Sequence, residues 1–130
     1  MLIVACSETK TPGAQRAADK YVSRQHSAVA ANWGSVGYYA ILSAEFGLVP
    51  AQRKLPDYNT KMTPAIAKTH HKQIKALLAA MPDDVIYVYG GKVYRDAVIA
   101  AAPKGAKVVE LVGRNRGCGD HFSALQEFLG

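Results

Sequence analysis

Cysteine is scarce in this chain: two in 130 residues, Cys6 and Cys118, with no C-x-x-C pair between them. A thiolate zinc site is therefore not expected, and reduced thiols in the cytoplasm are. The four histidines, His26, His70, His71 and His121, form no i, i+4 pair with one another or with a cysteine, so no metal and no cofactor is expected either. Long apolar runs are missing as well. Met1 to Cys6 gives way at once to polar residues, too short for a signal h-region or a membrane span, and no membrane partner is expected. Glycine is absent where a G-x-x-x-x-G-K-[ST] loop would need it after the first apolar run, which argues against P-loop nucleotide hydrolysis. No repeat, heptad run or linker breaks the chain, so one domain over residues 1–130 is expected.

Acidic residues are few in the first two thirds. Ten Asp and Glu face sixteen Lys and Arg, a net charge of +6, in a chain otherwise of ordinary globular composition at 49% hydrophobic and 20% charged. Residues 81–130 are balanced, and the excess lies before them. Between residues 46 and 80 stand Arg53, Lys54, Lys61, Lys68, Lys72 and Lys75 against Asp57 alone. Such a cluster is either a solvated helix face behind a basic loop or a flank that contacts phosphates.

Short apolar runs alternate with helical stretches. Leu2 to Cys6, Tyr38 to Ser43, Val85 to Tyr89 and Lys107 to Val112 read as four strands, and their near-continuous apolar character suits a sheet covered on both faces. Lys20 to Trp33, Val93 to Ala102 and His121 to Leu129 read as helices, the last with Asp120 as N-cap. Thr63-Pro64 opens a further helix that Pro82 stops. Along it Ile66, His70, Ile74, Leu77, Leu78 and Met81 make one apolar stripe opposite Lys68, Lys72 and Lys75. Ala44 to Met62 reads as a long loop. Repeated strand-helix units predict an α/β fold: a three-layer α/β/α sandwich on a four-stranded parallel sheet.

Open parallel sheets bind ligands beyond the carboxyl ends of their strands. The first end offers Cys6-Ser7-Glu8-Thr9-Lys10: hydroxyls and an ammonium suited to a phosphate or a polarised carbonyl, or a packed Cys6 and a solvated Lys10. The second offers Ser43, Glu45 and Phe46, and further on Asp57, Tyr58 and Asn59. A carboxylate, an aromatic ring and an amide suit a pocket that stacks on a base and reads its edge; equally, Phe46 and Leu48 would anchor the loop and Asp57-Tyr58-Asn59 would be a turn. Gly90-Gly91 before Tyr94 allows close backbone approach by an anion or base, or is only a tight turn. Arg114 and Arg116 on a glycine-rich loop suit bidentate phosphate contacts or a solvated basic loop. A Cys6 nucleophile with a histidine base gains nothing from the spacing.

Taken together, Cys6-Ser7-Glu8-Thr9-Lys10, Tyr21-Val22-Ser23, Leu42-Ser43-Ala44-Glu45-Phe46-Gly47-Leu48, Tyr58-Asn59 and Tyr94 resemble the YaaA-like group of bacterial and phage proteins. The specific signatures, "C-S-x-T-K" and "L-S-A-x-x-G-L", fall within residues 2–62. One departure stands out: relatives usually read Pro-Tyr-Asp where this chain has Asp57-Tyr58-Asn59, so the acidic role after the tyrosine has moved to Asp57 or been lost. The resemblance implies DNA association and a uracil-DNA-glycosylase-like fold with strand order 2-1-3-4, its switch point between the first and third strands. The glycosylase signatures themselves, a Gly-Gln-Asp-Pro-Tyr loop and a late His-Pro-Ser, are absent.

These readings converge on a nucleic-acid-associated or nucleotide-binding domain that handles a base, with action at an N-glycosidic bond as the enzymatic form. Lys10 would neutralise phosphate at the reacting centre, and Asp57 or Glu45 would orient water. Cys6, Ser7, Thr9, Ser43, Tyr58, Asn59, Gly90, Gly91 and Tyr94 would contact the substrate. Arg53, Lys54, Lys61, Lys68, Lys72, Lys75, Arg114 and Arg116 would contact the nucleic-acid backbone. The alternatives are a non-catalytic DNA-binding module and an enzyme acting on free nucleotides.

Overall fold

The computed structural model describes residues 1–6, 13–16, 29, 39–58, 60–81, 85–111, 125 and 128–129. Its elements run in the order β1 (Leu2–Ala5), β2 (Gln15–Arg16), β3 (Tyr39–Ser43), β4 (Gly47–Pro50), β5 (Lys54–Leu55), α1 (Pro64–Thr69), α2 (His71–Ala80), β6 (Val85–Tyr89), α3 (Lys92–Ala101) and β7 (Lys107–Glu110). The fold is mixed α/β, on a mostly parallel five-stranded sheet.

β1 lies at its centre. Leu2 to Ala5 are buried without exception because the strand is paired on both edges, parallel to β3 (Ile3 opposite Ala40) and to β6 (Ile3 opposite Val88). Side chains alternate between two apolar clusters. Leu2, Val4, Tyr39, Ile41, Val49 and Tyr89 enter one; Ile3, Ala40, Leu42, Leu48, Ile86 and Val88 enter the other. Ile74 and Leu78 of α2 and Val98 and Ala101 of α3 pack on the second face. Val29 and Leu125, both helical and fully buried, pack on the first.

The sheet corrects the expected four-stranded parallel sheet in strand count and order. The order is β4-β3-β1-β6-β7, in which β4 is antiparallel to β3. Gly47–Pro50 reads as loop because it begins and ends on breakers, yet an edge strand tolerates proline. The three-residue turn Ala44-Glu45-Phe46 closes on Gly47 at φ 75°, the left-handed position that a hairpin of this length uses. A side chain at Gly47 would also meet the Gln73 amide oxygen. The same loop supplies β5, which forms a separate antiparallel ribbon with β2 and buries Leu55.

The helix expected from Thr63 is two helices. Thr63 caps α1 by accepting the Ile66 amide at 3.2 Å, with Pro64 as the first helical residue. At His70 the backbone takes φ −94°, ψ −2°, and α2 starts afresh. The His70 ring faces the β3–β4 turn and meets the Ala44 carbonyl, Nε2 to O at 2.7 Å. Lys68, Lys72 and Lys75 remain exposed.

Candidate functional site

The parallel strands β1, β3 and β6 end side by side. Beyond β1 the chain goes to β3 on one side, whereas β6 leads through α3 to β7 on the other, so the topological switch point lies between the ends of β1 and β6. Cys6 and Tyr94 meet there. The Cys6 thiol, free and half-buried, lies 3.4 Å from the Tyr94 hydroxyl. Gly90 makes the approach possible: a Cβ on it would stand 2.6 Å from that of Ala5. Gly91 caps α3 without a side-chain contact.

Arg95 fastens the turn that follows β6. Only 9% exposed, it donates from Nε to Glu110 at 2.9 Å and from Nη1 to the Gly90 carbonyl at 3.1 Å, joining the ends of β6 and β7. A charge at this depth is tolerable because a carboxylate and a carbonyl receive its protons.

On the other flank Ala5 pairs with Leu42, which brings Cys6 and Ser43 to the same level of adjacent strands; the Cys6 amide bonds the Leu42 carbonyl at 3.0 Å. Ser43 is fully buried. Its hydroxyl donates to Tyr58 at 3.0 Å and accepts the amides of Glu45 and Phe46 at 3.2 and 3.3 Å, shaping the β3–β4 turn. The Phe46 and Tyr58 rings meet edge to face at 5.3 Å, and the Arg53 guanidinium lies 5.8 Å from the Phe46 centroid. A chain of contacts thus runs from an exposed cation through two rings to a buried hydroxyl.

The other expected residues are scattered. Asp57 is exposed, and its carboxylate accepts the Gly13 amide at 3.0 Å. Glu45 is exposed and accepts the Thr60 hydroxyl. Lys54 and Lys61 are exposed on the connection that includes β5, apart from the α1–α2 lysines. Ser7, Thr9, Lys10, Asn59, Arg114 and Arg116 lie outside the described residues. Among the described residues no three His, Cys, Asp or Glu side chains are grouped to hold a metal ion, and no helix is long and apolar enough to cross a membrane.

Three contributors were not legible as such. The Gln73 amide accepts the Leu48 N–H at 2.9 Å and donates to the Leu48 carbonyl at 2.7 Å, occupying the outer edge of β4. His70 holds the turn from the same side, and Arg95 with Glu110 holds the glycine loop. Only His70 had a sequence signal, as the one polar member of an apolar stripe.

No curated protein and no solved structure matches the chain. A family model described as a family of unknown function, DUF6884, matches residues 1–127. With 127 of its 130 residues covered by that one model, the chain belongs to the DUF6884 family.

Proposed function

We propose that this is a nucleic-acid-associated protein which receives a base or nucleotide over the carboxyl ends of β1, β3 and β6. The observation that carries the reading is the convergence there of Cys6 with Tyr94 and of Ser43 with Tyr58 and Phe46. Aromatic rings and hydroxyls beside the Gly90-Gly91 turn are what a flat heterocycle needs for stacking and edge hydrogen bonds. Arg53 and Lys54 then contact phosphate on the near flank, and Lys68, Lys72 and Lys75 extend that footprint along the helices. The likeness of the Cys6-to-Lys10 and Leu42-to-Leu48 motifs to the YaaA-like group points the same way. So does the reading of the architecture as a three-layer sandwich of the uracil-DNA-glycosylase type, with Val29 and Leu125 belonging to its outer helical layer. A free thiol at Cys6 suits the cytoplasm.

The enzymatic form of the proposal is hydrolysis of an N-glycosidic bond, with Glu45 or Asp57 orienting water. One observation favours the non-catalytic form instead: both carboxylates are exposed and hydrogen-bonded to their own chain.

The test titrates the full chain with fluorescent single-stranded DNA, duplex DNA and mononucleotides at low and high salt, alongside an assay for released base. Tyr58→Ala is expected to lower affinity for each nucleic acid while leaving the salt slope intact. Wild-type affinity in Tyr58→Ala and Tyr94→Ala together would remove the pocket. Base release that disappears in Glu45→Gln or Asp57→Asn assigns catalysis, and binding without base release from any of the nucleic acids assigns the non-catalytic form.

A further inference from the structure

Away from the strand ends, α1 and α3 leave a groove of about 460 Å³ between them. That is within the size range of small-molecule sites, and sites of this kind are apolar with a few placed polar groups. The surface here answers to that description. Pro64 and Ala67 of α1 and Val93, Ala97 and Ala100 of α3 supply the apolar lining. All are short side chains, so the lining accepts a flat or unbranched body rather than gripping a bulky one.

The charges around the groove are unequal. Asp96 is already neutralised by Lys92, Nζ to Oδ2 at 2.6 Å, an i, i+4 pair on α3. Lys68 lines the facing side, exposed and without an ion-pair partner among the described residues, and His71 stands one helical turn beyond it. The uncompensated charge at the groove is therefore positive.

From this combination we infer that the α1–α3 groove binds a small amphipathic organic anion, its apolar body lying along Ala67, Val93, Ala97 and Ala100 and its carboxylate paired with Lys68. Nucleic acid does not account for the groove, because a phosphodiester backbone gains from the cations but not from the apolar lining. The groove is separate from the strand ends, and it shares only Lys68 with the phosphate footprint proposed above.

The probes are octanoate and naphthalene-1-carboxylate, a chain and a ring that share this chemistry, with octylammonium and naphthalen-1-ylmethylammonium as cations of matching shape. Binding to the full-length chain is followed by calorimetry and by the rise in melting temperature with ligand concentration. At least one carboxylate is expected to saturate, and which of the two binds tighter identifies the body as chain or ring. Lys68→Glu is expected to weaken it by about tenfold, and Ala100→Trp, which fills the groove from an exposed position, to abolish it. Circular dichroism confirms that each variant is folded. Cations that bind as tightly as the anions, absence of saturation by either carboxylate, or binding unchanged in Ala100→Trp would each overturn the inference. So would sedimentation showing a wild-type dimer that Ala100→Trp dissociates, since the groove would then belong to a second copy of the chain.

Discussion

Gln73 pairs with both backbone polar groups of Leu48, its amide oxygen taking the N–H and its amide nitrogen meeting the carbonyl. A helix side chain thereby stands where a further strand would lie, and the outer edge of β4 is satisfied without pairing to another chain. The same residue occupies the space beside Gly47, so helix α2, the edge strand and the turn that carries Ser43, Glu45 and Phe46 are fastened at one point.

Gln73→Ala is accordingly expected to destabilise the fold by about 1–3 kcal/mol, because Leu48 is buried and both of its groups lose their partner. Gly47→Ala should cost a further amount of similar order through its positive φ. Urea midpoints measure both. A Gln73→Ala midpoint equal to that of wild type would show that water replaces the amide.

Arg95 and Glu110 differ in burial: Arg95 is buried and Glu110 exposed, their side chains being 11% and 40% exposed. Removing the carboxylate strands a buried cation, whereas removing the cation leaves a carboxylate that reaches water. Glu110→Ala should therefore be the more damaging change, by about 1–2 kcal/mol, reduced from the fully buried case by solvent screening. Arg95→Met should be milder in thermal melts. The reverse order would mean that the Gly90 carbonyl contact matters more than the ion pair.

Ser43→Ala removes one hydroxyl that serves three groups: the Tyr58 hydroxyl and the amides of Glu45 and Phe46. A loss of about 1–3 kcal/mol is expected. Tyr58→Phe deletes one of those three contacts and should cost less. Comparing their unfolding curves separates the turn from the ring contact, and equal losses would place the whole effect in Tyr58.

Lys72 and Lys75 are exposed on α2 and contribute little to folding. If they meet phosphates, Lys72→Ala with Lys75→Ala should lower the slope of log K against log salt for duplex DNA by about 0.9 for each lysine removed, with the melting temperature unchanged. A slope that stays at the wild-type value would take α2 out of the footprint.

Much of the fold was legible because the signals are local. Val85–Tyr89 is the expected strand, β1, β3 and β7 differ from expectation only at their ends, and Thr63-Pro64 opens a helix as its capping chemistry requires. Gly47–Pro50 was not legible, since glycine and proline mark loops until an edge position makes them acceptable. The break at His70 was not legible either: the apolar spacing continues through it, and the ring's partner, the Ala44 carbonyl, is distant in sequence. Cys6, Ser43, Tyr58, Gly90 and Tyr94 lie at the strand ends and contact one another or their strand neighbours there, as strand-end placement in the sequence leads one to expect of their positions. For Asp57 and Glu45 the sequence offers only their chemistry, and their bonds to Gly13 and Thr60 depend on chain crossings that no spacing reports.

The sequence by itself determined the near-continuous apolar runs of β1, β3 and β6, the capped start of α1 and the concentration of positive charge between residues 46 and 80, because each depends on residues close together in the chain. Tertiary structure decided the rest. Which side chains meet at the strand ends, what covers the edge of β4 and where a groove opens between α1 and α3 are set by strand order and helix packing. Contacts such as Cys6 with Tyr94, 88 residues apart, exist only once the intervening chain has been folded around the central strand.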